Sequence, residues 1–233
     1  MKIEQIARTT TLIALCLGFV ALSACGEMGE ARRRDANGNL VPTARELDPA
    51  GTLYAETVAN AEGGNCAAET VNVLTCFAYR GHGYEGAQTA LGQCLLRSGK
   101  TEDGLTWLKR AANAGGADAQ RRLAQAYASG KLVTQNYVEA AAWNKLYLRN
   151  PSLLSLGVAP DRSVDDQLQG KLSASEDAAA QRIANAWTPT YWQPRDALNA
   201  DTAATCRVRM KPQAPNIDQY LPKDPNAVNA GGY

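Results

Sequence analysis

His82 is the single histidine among the 233 residues. That excludes a multi-histidine metal site and leaves histidine-based acid–base catalysis almost nothing to work with. An excess of charge is missing too. Lys+Arg 24 against Asp+Glu 23 gives a net charge of +1. Removing residues 1–24 takes away Lys2, Arg8 and Glu4 and leaves 22 basic and 22 acidic residues. Nucleic acid and anionic surfaces are held by a surplus of Lys and Arg, so neither is the main partner. No Cys-x-x-Cys spacing occurs, which argues against zinc, and no constellation activates a Ser or Cys as a nucleophile. Long apolar runs are scarce. The one present, Leu12 to Leu22, is too short for a bilayer-spanning helix, which needs about 20 residues. Much of the 45% hydrophobic content is alanine.

That run follows Lys2 and Arg8, and a basic segment before an apolar core describes an export signal. It ends Leu22-Ser23-Ala24-Cys25-Gly26, which resembles the bacterial lipobox: a leucine, two small residues and a cysteine. The resemblance implies cleavage between Ala24 and Cys25, a diacylglyceryl group on the Cys25 sulfur, and acylation of the new N-terminus by chains such as palmitate. Several acyl chains anchor durably where one binds only marginally. Glycine rather than aspartate at position 26 points, by resemblance to bacterial sorting rules, to the outer membrane, with the protein facing the periplasm. Residues 25–48, with Arg32-Arg33-Arg34, Asn37-Gly38-Asn39 and Pro42, have almost no aliphatic bulk and read as a flexible tether.

The middle of the chain repeats. Residues 86–96 and 118–128 match at Ala87/Ala119, Gln88/Gln120, Leu91/Leu123 and Gln93/Gln125, with small Gly92 and Ala124 after the leucines. Each block runs into a Ser-Gly pair, Ser98-Gly99 and Ser129-Gly130. A second helical stretch then follows, Glu102–Ala114 around Trp107 and Tyr137–Arg149 around Trp143. The apolar residues recur at helical spacing, and the small residues beside the leucines permit close helix approach. Two helices per 32–36 residues predict an all-α, short right-handed solenoid of antiparallel hairpins over residues 49–187. Residues 50–61 and 66–80 predict a further hairpin across the Gly63-Gly64 break. Val164, Leu168 and Leu172 recur every fourth residue, and Ser173 with Glu176 makes a capping box for a helix ending at Trp187. Residues 188–233 read as an irregular, Pro-rich tail.

These residues resemble the Sel-one-like (SLR) branch of tetratricopeptide repeats. The second unit carries the pattern in Leu123, Ala124, Gly130-Lys131-Leu132-Val133, Asn136-Tyr137, Glu139-Ala140 and Trp143. The first unit has Leu91-Gly92 but a shortened loop, closer to a plain tetratricopeptide unit. The resemblance implies a non-enzymatic scaffold or adaptor in the cell envelope that docks a protein or peptide, without a cofactor. Solenoids bind through the concave face that the first helix of each unit lines. The repeat-equivalent Gln88, Gln93, Gln120 and Gln125, with Arg121 alongside, are the candidate contacts; a solvated outer face is the other reading. A structural envelope protein that grips peptidoglycan or a surface complex through its tail is the alternative function.

Setting aside Cys16 and Cys25, four cysteines remain, and an even number in an exported chain implies disulfides with three possible connectivities. Placing Cys66 and Cys76 on one helix separates them by about 15 Å, too far to bond. The expected pairs are then Cys76–Cys94, across neighbouring helices, and Cys66–Cys206, holding the tail. Residues 94–101 imitate a phosphate-binding loop, but Cys94 replaces its first glycine and the segment before it is helical. His82, between two glycines, reads as a loop residue, and Trp107 and Trp143 read as core.

Overall fold

The computed structural model describes residues 34–192 and Cys206, in two units: residues 34–46, and residues 47–192 with Cys206. The expected signal, Ala24, Cys25 and most of the expected tail lie outside the described residues. In the first unit an antiparallel bridge pairs Arg34 with Leu40. Asp35 closes the turn between them, its Oδ1 accepting from the backbone N–H groups of Asn37 and Asn39, each at 2.9 Å.

The second unit is all-helical among the described residues. In chain order it comprises α1 Pro49–Glu62, α2 Ala68–Ala78, α3 Glu85–Arg97, α4 Thr101–Asn113, α5 Ala117–Ser129 and α6 Tyr137–Leu148. The short α7 Pro151–Ser155 and α8 Ser163–Leu168 follow, then α9 Ala174–Ala186. The 32-residue sequence repeat returns as α3 and α5, whose first and last residues are offset by that spacing. Side chains three and four apart turn to one face, and α3 buries Ala87, Ala90, Leu91 and Cys94 while α5 buries Ala119, Leu123 and Ala126. The glycines of both Ser-Gly pairs adopt positive φ, Gly99 at 81° and Gly130 at 67°, which ends each helix where a side chain would be strained. The predicted capping box starts α9: Glu176 N donates to Ser173 Oγ and Ser173 N to Glu176 Oε2.

Short connections make consecutive helices antiparallel neighbours. α1 packs on α2 and α3, and each helix from α2 to α5 packs on the next; α6 packs on α9, and α8 on α5 and α6. Apolar clusters succeed one another along this order. Leu74, Phe77, Leu91 and Trp107 form the first, Leu108, Ala111 and Leu123 the second, and Ala141, Ala142 and Ala180 the third. Trp143 packs, half-buried, on the second. Alanine and glycine at the seams bring backbones together: a Cβ on Gly92 would stand 2.9 Å from the Gly104 carbonyl oxygen.

All four cysteines are bonded, but in other pairs than expected. Cys66 joins Cys94 and Cys76 joins Cys206. The expectation fails because Cys66 is not on a helix. α2 begins at Ala68, leaving Cys66 in the preceding segment, free to reach sideways. Register explains the exchange. With the α2–α3 turn centred near residue 82, an antiparallel hairpin sets the start of one helix against the end of the other. Cys66 thus faces the end of α3, where Cys94 lies, whereas Cys76 faces its beginning.

Candidate functional site

The glutamine row is not the exposed face it was expected to be. Gln88, Gln93 and Gln120 are buried and Gln125 is half-buried. Gln88 sits three residues before Leu91, and Gln120 three before Leu123, so helical spacing turns both amides inward. There they close the turn before their own helix. Gln88 Nε2 donates to the carbonyl oxygens of Ala78 at 3.2 Å and Gly81 at 3.1 Å. Gln120 Nε2 donates to the Ala112 carbonyl at 3.3 Å, and its Oε1 accepts from Asn150 Nδ2 at 3.0 Å. From equivalent positions in the repeat, the two side chains each add a second donor to carbonyls at or just beyond the end of the preceding helix, beside the turn N–H groups already there. Removing one breaks buried hydrogen bonds, and at Gln120 also takes an acceptor from Asn150 Nδ2. Gln120→Ala is expected to lose about 1–3 kcal/mol of stability in urea denaturation, whereas Gln125→Ala should stay within about 0.5 kcal/mol. Equal losses would assign Gln120 no tie.

Arg121 belongs to an ion-pair cluster. Its guanidinium reaches Asp118 on the same helix and Asp161 in the segment before α8, while Arg122 Nε meets Asp118 Oδ2 at 2.7 Å. Burial pushes the Asp118 carboxyl up, but Arg122 and Arg121 outweigh it and hold it below its ordinary value. A folded-state value below the unfolded one stabilises at neutral pH, and that contribution is lost as pH falls through the depressed value. Asp118→Asn is expected to flatten the acid limb of the thermal-unfolding profile. An unchanged limb would remove this cluster from the acid response.

The first residues of the expected tail, 188–192, form no helix or strand and are docked on the helices. Beyond α9 the chain runs back along α4. Thr190 N donates to the Asn113 carbonyl at 2.8 Å. The Trp192 ring lies 5.3 Å from Trp107 and 5.6 Å from Tyr79, both edge-on. The Arg110 guanidinium lies 4.6 Å from Trp107 and 4.2 Å from Trp192, a cation–π contact with each. His82 holds Glu85 at 2.8 Å through Nδ1 and packs 4.0 Å from the Tyr191 ring. The loop histidine and the core Trp107 are thus both contacts for one returning strap, Trp187 to Trp192.

Two clefts of about 380 Å³ each open on the second unit. One is lined by Gln120, Arg149, Asn150 and Trp187, and Arg149 is spent inside the fold on Asn185 and the Ala184 carbonyl. The other, lined from α6, α8 and α9, holds Asn144, Lys145, Asp165, Asp166 and Asp177. Among the described residues no group of three His, Cys, Asp or Glu could hold a metal ion. At the end of α7 and in the segment that follows it, Leu154, Leu156 and Val158 stand 62%, 75% and 50% exposed. Neither this loop nor the strap carries a periodic pattern, so sequence reasoning missed both; the aromatic density of Trp187, Tyr191 and Trp192 was the available signal for the strap.

No protein-family model, curated protein or solved structure matches the chain. The described surface therefore carries the functional reading, and Leu154, Leu156 and Val158 are the densest group of exposed large apolar side chains among the described residues.

Proposed function

We propose that the chain is a lipid-anchored protein of the bacterial envelope, held by acylated Cys25, whose hairpins form a short SLR-like solenoid serving as a non-enzymatic scaffold for a protein partner. The carrying observation is the exposed Leu154, Leu156 and Val158. Three large apolar side chains within five residues, left in water, mark a place where another surface belongs. The equivalent Gln88 and Gln120 ties support the repeat reading. The docked strap supports a preference for extended segments, since its ring contacts and one backbone hydrogen bond are what such a segment offers.

The test is crosslinking in intact envelopes with the full chain. Leu154→Asp with Leu156→Asp should abolish a defined crosslinked species while stability, read by urea denaturation, stays within about 0.5 kcal/mol. An unchanged crosslinking pattern would remove the loop from the interface. Cys25→Ser should separately move the protein from the membrane to the soluble fraction; unchanged fractionation would overturn the anchor.

A further inference from the structure

A buried acceptor in the cleft between α6, α8 and α9 has no donor among the described residues. Asn144 is 2% exposed, its Nδ2 donates to Asp165 Oδ1 at 2.6 Å, and its Oδ1 has no hydrogen-bond partner. Chemistry fixes which way the amide faces. An ionised carboxylate only accepts, so the nitrogen must meet Asp165 and the oxygen must look elsewhere. Buried polar atoms are nearly always satisfied, and an exception calls for a missing donor.

The same cleft is rich in acceptors. Asp177 is neutralised by Lys145 Nζ at 2.9 Å, and Asp165 Oδ2 accepts from Arg162 at 3.0 Å. Asp166 makes no ion pair with a described residue, so the cleft carries an uncompensated negative charge. Leu168 and Leu172 supply apolar wall. We propose that this cleft binds a primary ammonium group carried on a short alkyl chain. Three N–H donors on one positive centre suit Asn144 Oδ1 and the carboxylates of Asp165 and Asp166, and the methylenes lie along the leucines. A bare metal cation would leave the apolar wall unused, and a neutral donor would leave Asp166 unpaired. This inference goes beyond the scaffold reading and does not depend on it.

The experiment titrates the full, isotopically labelled chain with cadaverine and, separately, with a blocked Gly-Lys-Gly peptide, following the Asn144 side-chain amide signals by NMR. Cadaverine should shift them saturably in the millimolar range. Asp166→Asn, at an exposed position, should weaken that binding about tenfold. Tetramethylammonium, which has charge but no N–H, should leave the Asn144 signals in place. Saturation by the peptide as well as by cadaverine assigns the site to lysine side chains, and saturation by cadaverine alone assigns it to free amines. Absence of a saturable shift with both probes would leave Asn144 to a bound water and overturn the proposal. Equal response to tetramethylammonium, or unchanged affinity in Asp166→Asn, would overturn it also. Asn144→Leu, followed through the backbone amides of Asp165 and Asp166, should abolish the response, and if that chain does not fold, Asp166→Asn decides.

Discussion

Removing the Cys76–Cys206 bond by alanine at both positions is expected to cost about 5 kcal/mol, against about 3.5 kcal/mol for removing Cys66–Cys94. The order follows from loop length, since the two bonds join residues 130 and 28 apart. A crosslink restricts the unfolded chain more when it closes a longer loop. Urea midpoints of the two double variants check the order, and a larger loss for the shorter loop would refute the entropic account here. A second readout is positional. With Cys206 released, the bond no longer ties the chain beyond Trp192 to α2, and limited proteolysis should cut within residues 188–233 before the helices lose their circular dichroism. Non-reducing peptide mapping tests the connectivity itself: a Cys76–Cys94 peptide would overturn it.

Gly92→Ala should destabilise the protein, by on the order of 2 kcal/mol, although alanine is the better helix former by about 1 kcal/mol. The sign is set by what the new methyl would meet. At Gly92 it would lie 2.9 Å from the Gly104 carbonyl oxygen and 3.2 Å from Leu108 N, both backbone atoms that cannot swing aside. At Gly104 it would lie 2.8 Å from the Gly92 oxygen and 2.7 Å from Leu96 Cγ, so Gly104→Ala should behave alike. The helices would have to part, pulling Gly92 away from Leu108 and Gly104 from Leu96. The repeat offers its own control, because Ala124, the counterpart of Gly92, is already alanine and fully buried. Chemical denaturation of both glycine variants checks this; a gain in stability would show that α3 and α4 do not cross so closely.

The helices were legible because their cause is local. Ala87, Leu91 and Cys94, or Leu123 and Ala126, announce a buried face by spacing alone, and Ser173 with Glu176 announces a cap. Close approach at Gly92 was legible for the same reason. What escaped was settled by non-local geometry. α2 starts two residues later than expected, leaving Cys66 off the helix, and the hairpin register that exchanges both disulfides is set by the turn between α2 and α3. The glutamines were misplaced because a repeated polar residue on a helix reads equally as a ligand contact or as an internal tie. The decisive fact, that the carbonyls of Ala78, Gly81 and Ala112 turn toward them and accept a second donor, belongs to the preceding turn. Asn144 escaped altogether, since its partner Asp165 lies 21 residues away on another helix.

The two bonds interleave along the chain: Cys66 and Cys94 enclose Cys76, whose own partner is the last of the four. A polypeptide delivered N-terminus first into an oxidising space therefore presents two thiols, at 66 and 76, that must not join each other. An oxidant that couples cysteines in order of arrival makes the wrong bond first and strands Cys94 with Cys206. Reaching the native set from there requires thiolate attack and exchange through mixed disulfides. If the chain is exported as proposed, its maturation is expected to depend on a reshuffling catalyst more than on the supply of oxidising equivalents, and a host lacking such an isomerase should accumulate a scrambled, protease-sensitive product.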